Sequence, residues 1–255
     1  MMYNAGEFAR LRNGVLAISF SAWMIILAAP GARACCAARC TSISWQSPFS
    51  PNSPAYLAVG WILMLVAMMS PMLVPPIYHV CGSSFAGRRP RSVALFVAGY
   101  MGVWLAAGVI LIAAELAAAR FAPQSWLPAA IVGLVALVWQ VSPWKQRCLN
   151  RCHSHRPLAA FGFAADMDAL RLGLEHGFWC AGSCWAAMLC PMLLPQGHFV
   201  GMLAVTALMF CERLDPPKTP SWRWRGFGTA SRYLSLRLRG PLCSPPPWAA
   251  PAARL

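Results

Sequence analysis

Residues 173–194 read GLEHGFWCAGSCWAAMLCPMLL, and how this stretch is read decides the fold. Its length matches the roughly 20 predominantly apolar residues that carry an α-helix across a hydrocarbon core. Within it His176, Cys180 and Cys184 recur at every fourth position. On a helix that spacing stacks the three side chains on nearly one face, about 6 Å apart per step. Imidazole and thiol are borderline or soft metal donors and unusual filler for a membrane segment. The segment therefore predicts a spanning helix that carries a stripe of donors.

Five further apolar runs surround it, at 14–30, 56–78, 93–116, 126–144 and 199–212. Of the 255 residues 58% are hydrophobic and only 11% are charged, and the mean hydropathy is +0.53. A soluble domain carries about 25% charged residues, so most of this chain is expected to lie in lipid. The runs are continuous rather than alternating, which predicts helices and excludes a β-barrel. The expected fold is an all-α, polytopic transmembrane bundle of six spans over residues 1–215. A basic, Pro-rich and disordered tail is expected over 216–255.

The net charge of +14 is a topology signal. With six spans, eighteen Lys and Arg fall on one side of the membrane and three on the other. The positive-inside rule then places both termini in the cytoplasm of a bacterial inner membrane. The partners implied are the bilayer and a metal donor or metalloenzyme. Nucleic acid is excluded because no basic-aromatic binding module accompanies the charge. The first run also fits a cleavable signal, since Ala32-Arg33-Ala34 offers a small-x-small site before Cys35. Cleavage leaves five spans and the same sidedness. Trp23 and Met24 inside the run favour an uncleaved helix. Cys35, Cys36 and Cys40 then lie in an outward loop, and the spacing does not choose which two form a disulfide.

The donors converge in depth. Cys148, Cys152, His153 and His155 follow the inward end of the fourth run, and His176 opens the fifth from the same side. Cys211 and Glu212 close the sixth. His79 and Cys81 leave the second, which carries Met64, Met68 and Met69 deeper in. Thiolate and thioether select Cu(I), while Cys/His sets also suit Zn(II); the methionines favour copper. Four bland readings stand beside this one. Cys148 and Cys152 also fit plain loop thiols, and the His176/Cys180/Cys184 stripe also fits small core residues with a satisfied histidine. Met64 and Met68 are also spaced for packing, and Glu212 is also placed for an interfacial pair with Arg213. Gly173/Gly177 and Gly197/Gly201 fit small-xxx-small packing of the fifth helix on the sixth. No phosphate cradle or paired buried carboxylates point to an enzymatic reaction. The rival readings are a thiol-redox membrane enzyme and a non-catalytic membrane assembly subunit. Redox motifs usually separate their cysteines by two residues, whereas these are separated by three.

Several segments resemble one bacterial family. Trp61…Met64-Leu65-Val66-Ala67-Met68-Met69-Ser70-Pro71, Gly99-Tyr100…Val103-Trp104, 139–152 (WQVSPWKQRCLNRC) and 172–180 (LGLEHGFWC) are similar to the DUF2182 family of predicted metal-binding integral membrane proteins. Gly182-Ser183-Cys184-Trp185 and Met188 continue the resemblance, which covers about Trp61 to Glu212. It implies a multi-spanning membrane protein with a metal site and supplies no reaction. Position by position it supports Cys148, Cys152, His176, Cys180 and Cys184 as ligands, then Met68, Met69 and Glu212; the residues themselves add His155. Ser183 stands where the family has a cysteine beside Cys184. Arg213 follows Glu212 where the family has lysine.

Overall fold

The computed structural model describes residues 5–28, 54–122, 125–159, 161–194 and 196–226, with isolated positions as far as 235. Cys35, Cys36, Cys40, the small-x-small site at 32–34 and the end of the tail lie outside the described residues. Among the described residues every regular element is helical. In chain order these are α1 (Ala5–Ala28), α2 (Pro54–Met69), a 3-10 turn (Ser70–Leu73) and α3 (Val74–Ser83). A second 3-10 turn (Ala86–Arg88), α4 (Arg89–Phe121), α5 (Leu127–Val141) and α6 (Pro143–His153) follow, then α7 (Gly162–Met192) and α8 (His198–Leu214).

Among the described residues three helical stretches are long and apolar enough to cross a membrane: Gly6–Ala28, Leu57–Ser83 and Ala86–Ala118. The second runs through the 3-10 turn, where Pro71 and the Pro75-Pro76 pair cannot donate to the preceding turn and the helix tightens rather than ends. A fourth qualifies only if α5 and α6 count as one span, and they meet at 64°. The straight helix expected over 126–144 is thus broken. Ser142 adopts an extended conformation, and its hydroxyl accepts from the Trp144 N–H at 3.1 Å. Pro143 occupies the first turn, so the pair caps a new helix instead of continuing the old one. By the same measure α7 and α8 do not qualify, against the six spans expected. α8 has only 17 residues, and the first half of α7 carries Asp166, Asp168, Arg171 and Glu175.

The acidic groups among them are matched from neighbouring elements. Asp166 pairs with Arg88 and Arg91, both at 2.6 Å, and Arg156 bridges Asp168 at 3.2 Å and Glu175 at 2.8 Å.

The central helix is α7, which packs on α4, α5, α6 and α8. Its closest neighbour is α4, because Gly173 and Gly177 let the backbones approach. A Cβ on Gly173 would run into the Phe96 carbonyl, and one on Gly177 would come within 3.1 Å of the Tyr100 carbonyl oxygen. The Gly173/Gly177 pair therefore packs α7 on α4, not on α8 as the spacing alone suggested. Gly201 does face α7, at Pro191 and Leu194, whereas Gly197 serves the turn before α8 with φ +78°. Phe96, Tyr100 and Trp104 of α4 and Leu65, Met68 and Met69 of α2 fill the interior. Val109, Ile110, Leu134 and Val200 leave the outer faces apolar.

The Pro-rich segment after α8 does bury part of itself. Arg225 is inserted against α5 and α6, giving hydrogen bonds to Gln146 Oε1 (2.6 Å), the Gln140 carbonyl (2.8 Å) and the Ser221 carbonyl (2.6 Å). Asn150 and Lys218 bond reciprocally along the same path.

Candidate metal centre

The donors gather where α3, α6, the middle of α7 and the end of α8 meet. The elbow at Ser142–Pro143 turns α6 across α7 and carries Cys148 and Cys152 to it. Cys148 lies over Gly182, its sulfur 3.1 Å from where a Cβ there would stand. Cys152 is buried and faces Cys180 across the guanidinium of Arg213. Arg213 Nη2 donates to Cys180 Sγ at 3.2 Å, and the same side chain hydrogen-bonds Cys152. Tyr100 Oη lies 3.4 Å from Cys180 Sγ on the other side. The Cys184 thiol donates to the Cys180 carbonyl at 3.0 Å, and Ser183 Oγ does so at 2.7 Å. The i, i+4 stripe is therefore real, but its third member is turned onto its own helix backbone.

Three imidazoles line the edge of this group. The His155 ring is 5.0 Å from that of His79 and 6.3 Å from that of His176, centroid to centroid. His79 Nε2 donates to the Arg156 carbonyl at 2.9 Å. His153 is committed to structure: its two nitrogens face the carbonyls of Leu149 at 2.9 Å and Arg213 at 3.2 Å. His155 differs from both. It bonds to the His153 backbone, while its Nε2 is buried with no partner. A ring that donates one N–H to a carbonyl keeps a lone pair on the other nitrogen, which is the tautomer a metal ligand needs.

Charge follows from this packing. Burial, then the neighbouring His79, lowers His155 to about 4, so the ring is neutral at physiological pH. Burial pushes the Cys152 thiol up to about 12, although Arg213 acts against it. Burial likewise raises Cys148.

The remaining expected ligands are Glu212, Met68 and Met69. Glu212 is buried against Lys145 at 2.8 Å and accepts from Gln140 Nε2, so its carboxylate is committed to an ion pair. Its partner is Lys145 of α6, not its neighbour Arg213, because adjacent positions on a helix point about 100° apart. Met68 and Met69 are enclosed in the same apolar core as Cys152, Cys180 and Cys184. Among the described residues no three Cys, His, Asp or Glu side chains already converge on one point as a closed metal cage. The donor chemistry fits a soft ion all the same: two buried thiols from different helices lie beside an imidazole nitrogen that lacks a partner.

A family model described as PpoB2, copper chaperone, matches residues 58–234. The chain belongs to this copper chaperone family. The match begins in α2, takes in every donor described above and extends into the Pro-rich segment anchored by Arg225. Membership in a copper chaperone family makes metal handling the general role of the chain. No curated protein and no solved structure matches it.

The sequence reading missed Arg213, Tyr100, Lys145 and Gln140 around the site. Their one signal was a polar group in an apolar run, as with Gln140. Nothing in the spacing tells which donor each of them meets.

Proposed function

We propose that this protein is a multi-spanning copper chaperone of the bacterial inner membrane that carries Cu(I) as cargo. Cys152 and Cys180 are its thiol ligands, His155 and His176 its imidazole ligands, and Cys148 and Cys184 adjoining thiols for exchange. One observation carries this reading. Two cysteines 28 positions apart, on the packed helices α6 and α7, face a single guanidinium beside the unpartnered Nε2 of His155. Buried thiol and imidazole donors suit Cu(I) better than the hard divalent cations. A set that is not a closed cage suits a carrier, which must release its ion to a metalloenzyme partner.

The apolar outer faces of α4, α5 and α8 support contact with lipid. With six crossings, the distribution of Lys and Arg supports a cytoplasmic metal centre and both termini inside. In that arrangement α7 and α8 are inner spans, shielded by the more apolar helices. No chemical reaction is assigned.

The test is anaerobic Cu(I) loading of the detergent-purified protein in competition with a bathocuproine-type chelator. The wild type is expected to hold stoichiometric Cu(I) and to prefer it to Zn(II). Cys152→Ser and Cys180→Ser should each lower the affinity by about 100-fold, roughly the loss of one buried ligand. Cys211→Ser, at a half-buried thiol on α8, should leave it unchanged. Full copper retention at unchanged affinity in both of the first two variants would sink the proposal.

A further inference from the structure

The Arg213 guanidinium occupies the ground that an ion bridging Cys152 and Cys180 needs. One end of the fork donates to Cys180 Sγ at 3.2 Å and the side chain also bonds Cys152, so the cation stands between two prospective ligands. The backbone beneath it is held by other groups. The Arg213 carbonyl faces His153 Nε2 at 3.2 Å, and the preceding residue, Glu212, is locked to Lys145 at 2.8 Å. Arg213 lies in the last turn of α8, so its side chain can swing aside without unwinding the helix. Guanidinium and Cu(I) are both monocations. They repel at contact distance in a poorly solvated setting, and the space between the two sulfurs does not hold both at once.

Resting on the copper-site reading above, we infer that Arg213 is a displaceable internal cation. It holds the thiols of Cys152 and Cys180 in the metal-free state, swings out when Cu(I) enters and returns as the ion is handed on. No electron moves in this exchange. Cu(I)–sulfur bonds replace the N–H···S hydrogen bonds, and each thiol proton lost goes to water. The returning guanidinium lowers the affinity of the site and speeds release, which separates a carrier from a trap.

The experiment compares Cu(I) affinity and the rate of Cu(I) transfer to excess chelator in the wild type, Arg213→Lys and Arg213→Gln, all full length and in detergent. Glutamine removes the charge and should tighten binding by about tenfold or more and slow transfer correspondingly. Lysine keeps the charge as a single flexible point instead of a planar fork, so its affinity should fall between the other two. If the glutamine variant does not fold, the lysine variant carries the test and must still bind tighter than arginine. Wild-type affinity equal to or tighter than that of the folded variants overturns the inference while leaving the copper site standing. Absence of Cu(I) binding in all three overturns the copper site and the inference together.

Discussion

Lys145 Nζ and Glu212 Oε1 meet at 2.8 Å, and both side chains are almost fully removed from solvent. The pair ties α6, which carries Cys148 and Cys152, to the turn of α8 that carries Arg213. Gln140 completes it, accepting from Lys145 at 2.6 Å and donating to Glu212. Breaking such a pair leaves one uncompensated buried charge. Lys145→Met should therefore cost about 3–5 kcal/mol, and Lys145→Met with Glu212→Leu should recover most of that. Thermal unfolding in detergent measures both. A single variant that melts with the wild type would show the pair to be dispensable.

Contact between α4 and α7 depends on glycine. Gly173→Ala drives a methyl group into the Phe96 carbonyl and is expected to destabilise by about 1–3 kcal/mol. Gly102→Ala, on the same α4 with nothing within 4 Å of the new Cβ, should be neutral or slightly stabilising. Parallel melts of the two variants decide the matter. Equal melting temperatures would mean that the helices pack some other way.

The pKa of His155 gives a pH signature. Its folded value of about 4 lies below the ordinary 6.5. The unfolded chain therefore binds the proton first, and stability falls as pH drops from about 6.5 towards 4. His155→Phe removes this dependence and an unpartnered buried nitrogen. It should make the stability profile between pH 6.5 and 4 shallower while weakening Cu(I) binding by about tenfold. A profile as steep as the wild type's would assign the acid sensitivity to other groups.

Arg225 anchors the segment that follows α8. Arg225→Ala removes three hydrogen bonds, to Gln146, Gln140 and Ser221. Limited proteolysis should then cut between 216 and 226 several-fold faster, while the bundle stays intact and Cu(I) stoichiometry is unchanged. Cleavage at the wild-type rate would show that other contacts hold the segment.

Much of the helical layout was legible because apolar length is a local property of the chain. Runs 56–78 and 93–116 correspond, with modest shifts at their ends, to the stretches Leu57–Ser83 and Ala86–Ala118, which are long and apolar enough to span. Run 126–144 failed at one dipeptide. Ser142-Pro143 is a helix-start signal, but hydropathy averaged over a window hides it, and the elbow it makes brings Cys152 to Cys180. The glycine pair at 173 and 177 was correctly read as a close-approach surface and assigned to the wrong neighbour. A spacing rule describes one face of one helix and says nothing about what covers it. Glu212 and Arg213 show the same limit. As sequence neighbours they read as a pair, yet helix geometry sends one to Lys145 and the other to the thiols.

By itself the sequence determined that the chain is an all-helical, apolar protein with a stripe of thiol and imidazole side chains. Composition and fourfold spacing act within single segments and need no partner to be read. Tertiary structure alone decided which donors meet and what stands between them. Cys152, Cys180, His155 and Arg213 come together only through the angle of an elbow, the approach of two helices at glycine and a buried ion pair. Each is a contact between distant parts of the chain, and no local pattern records it.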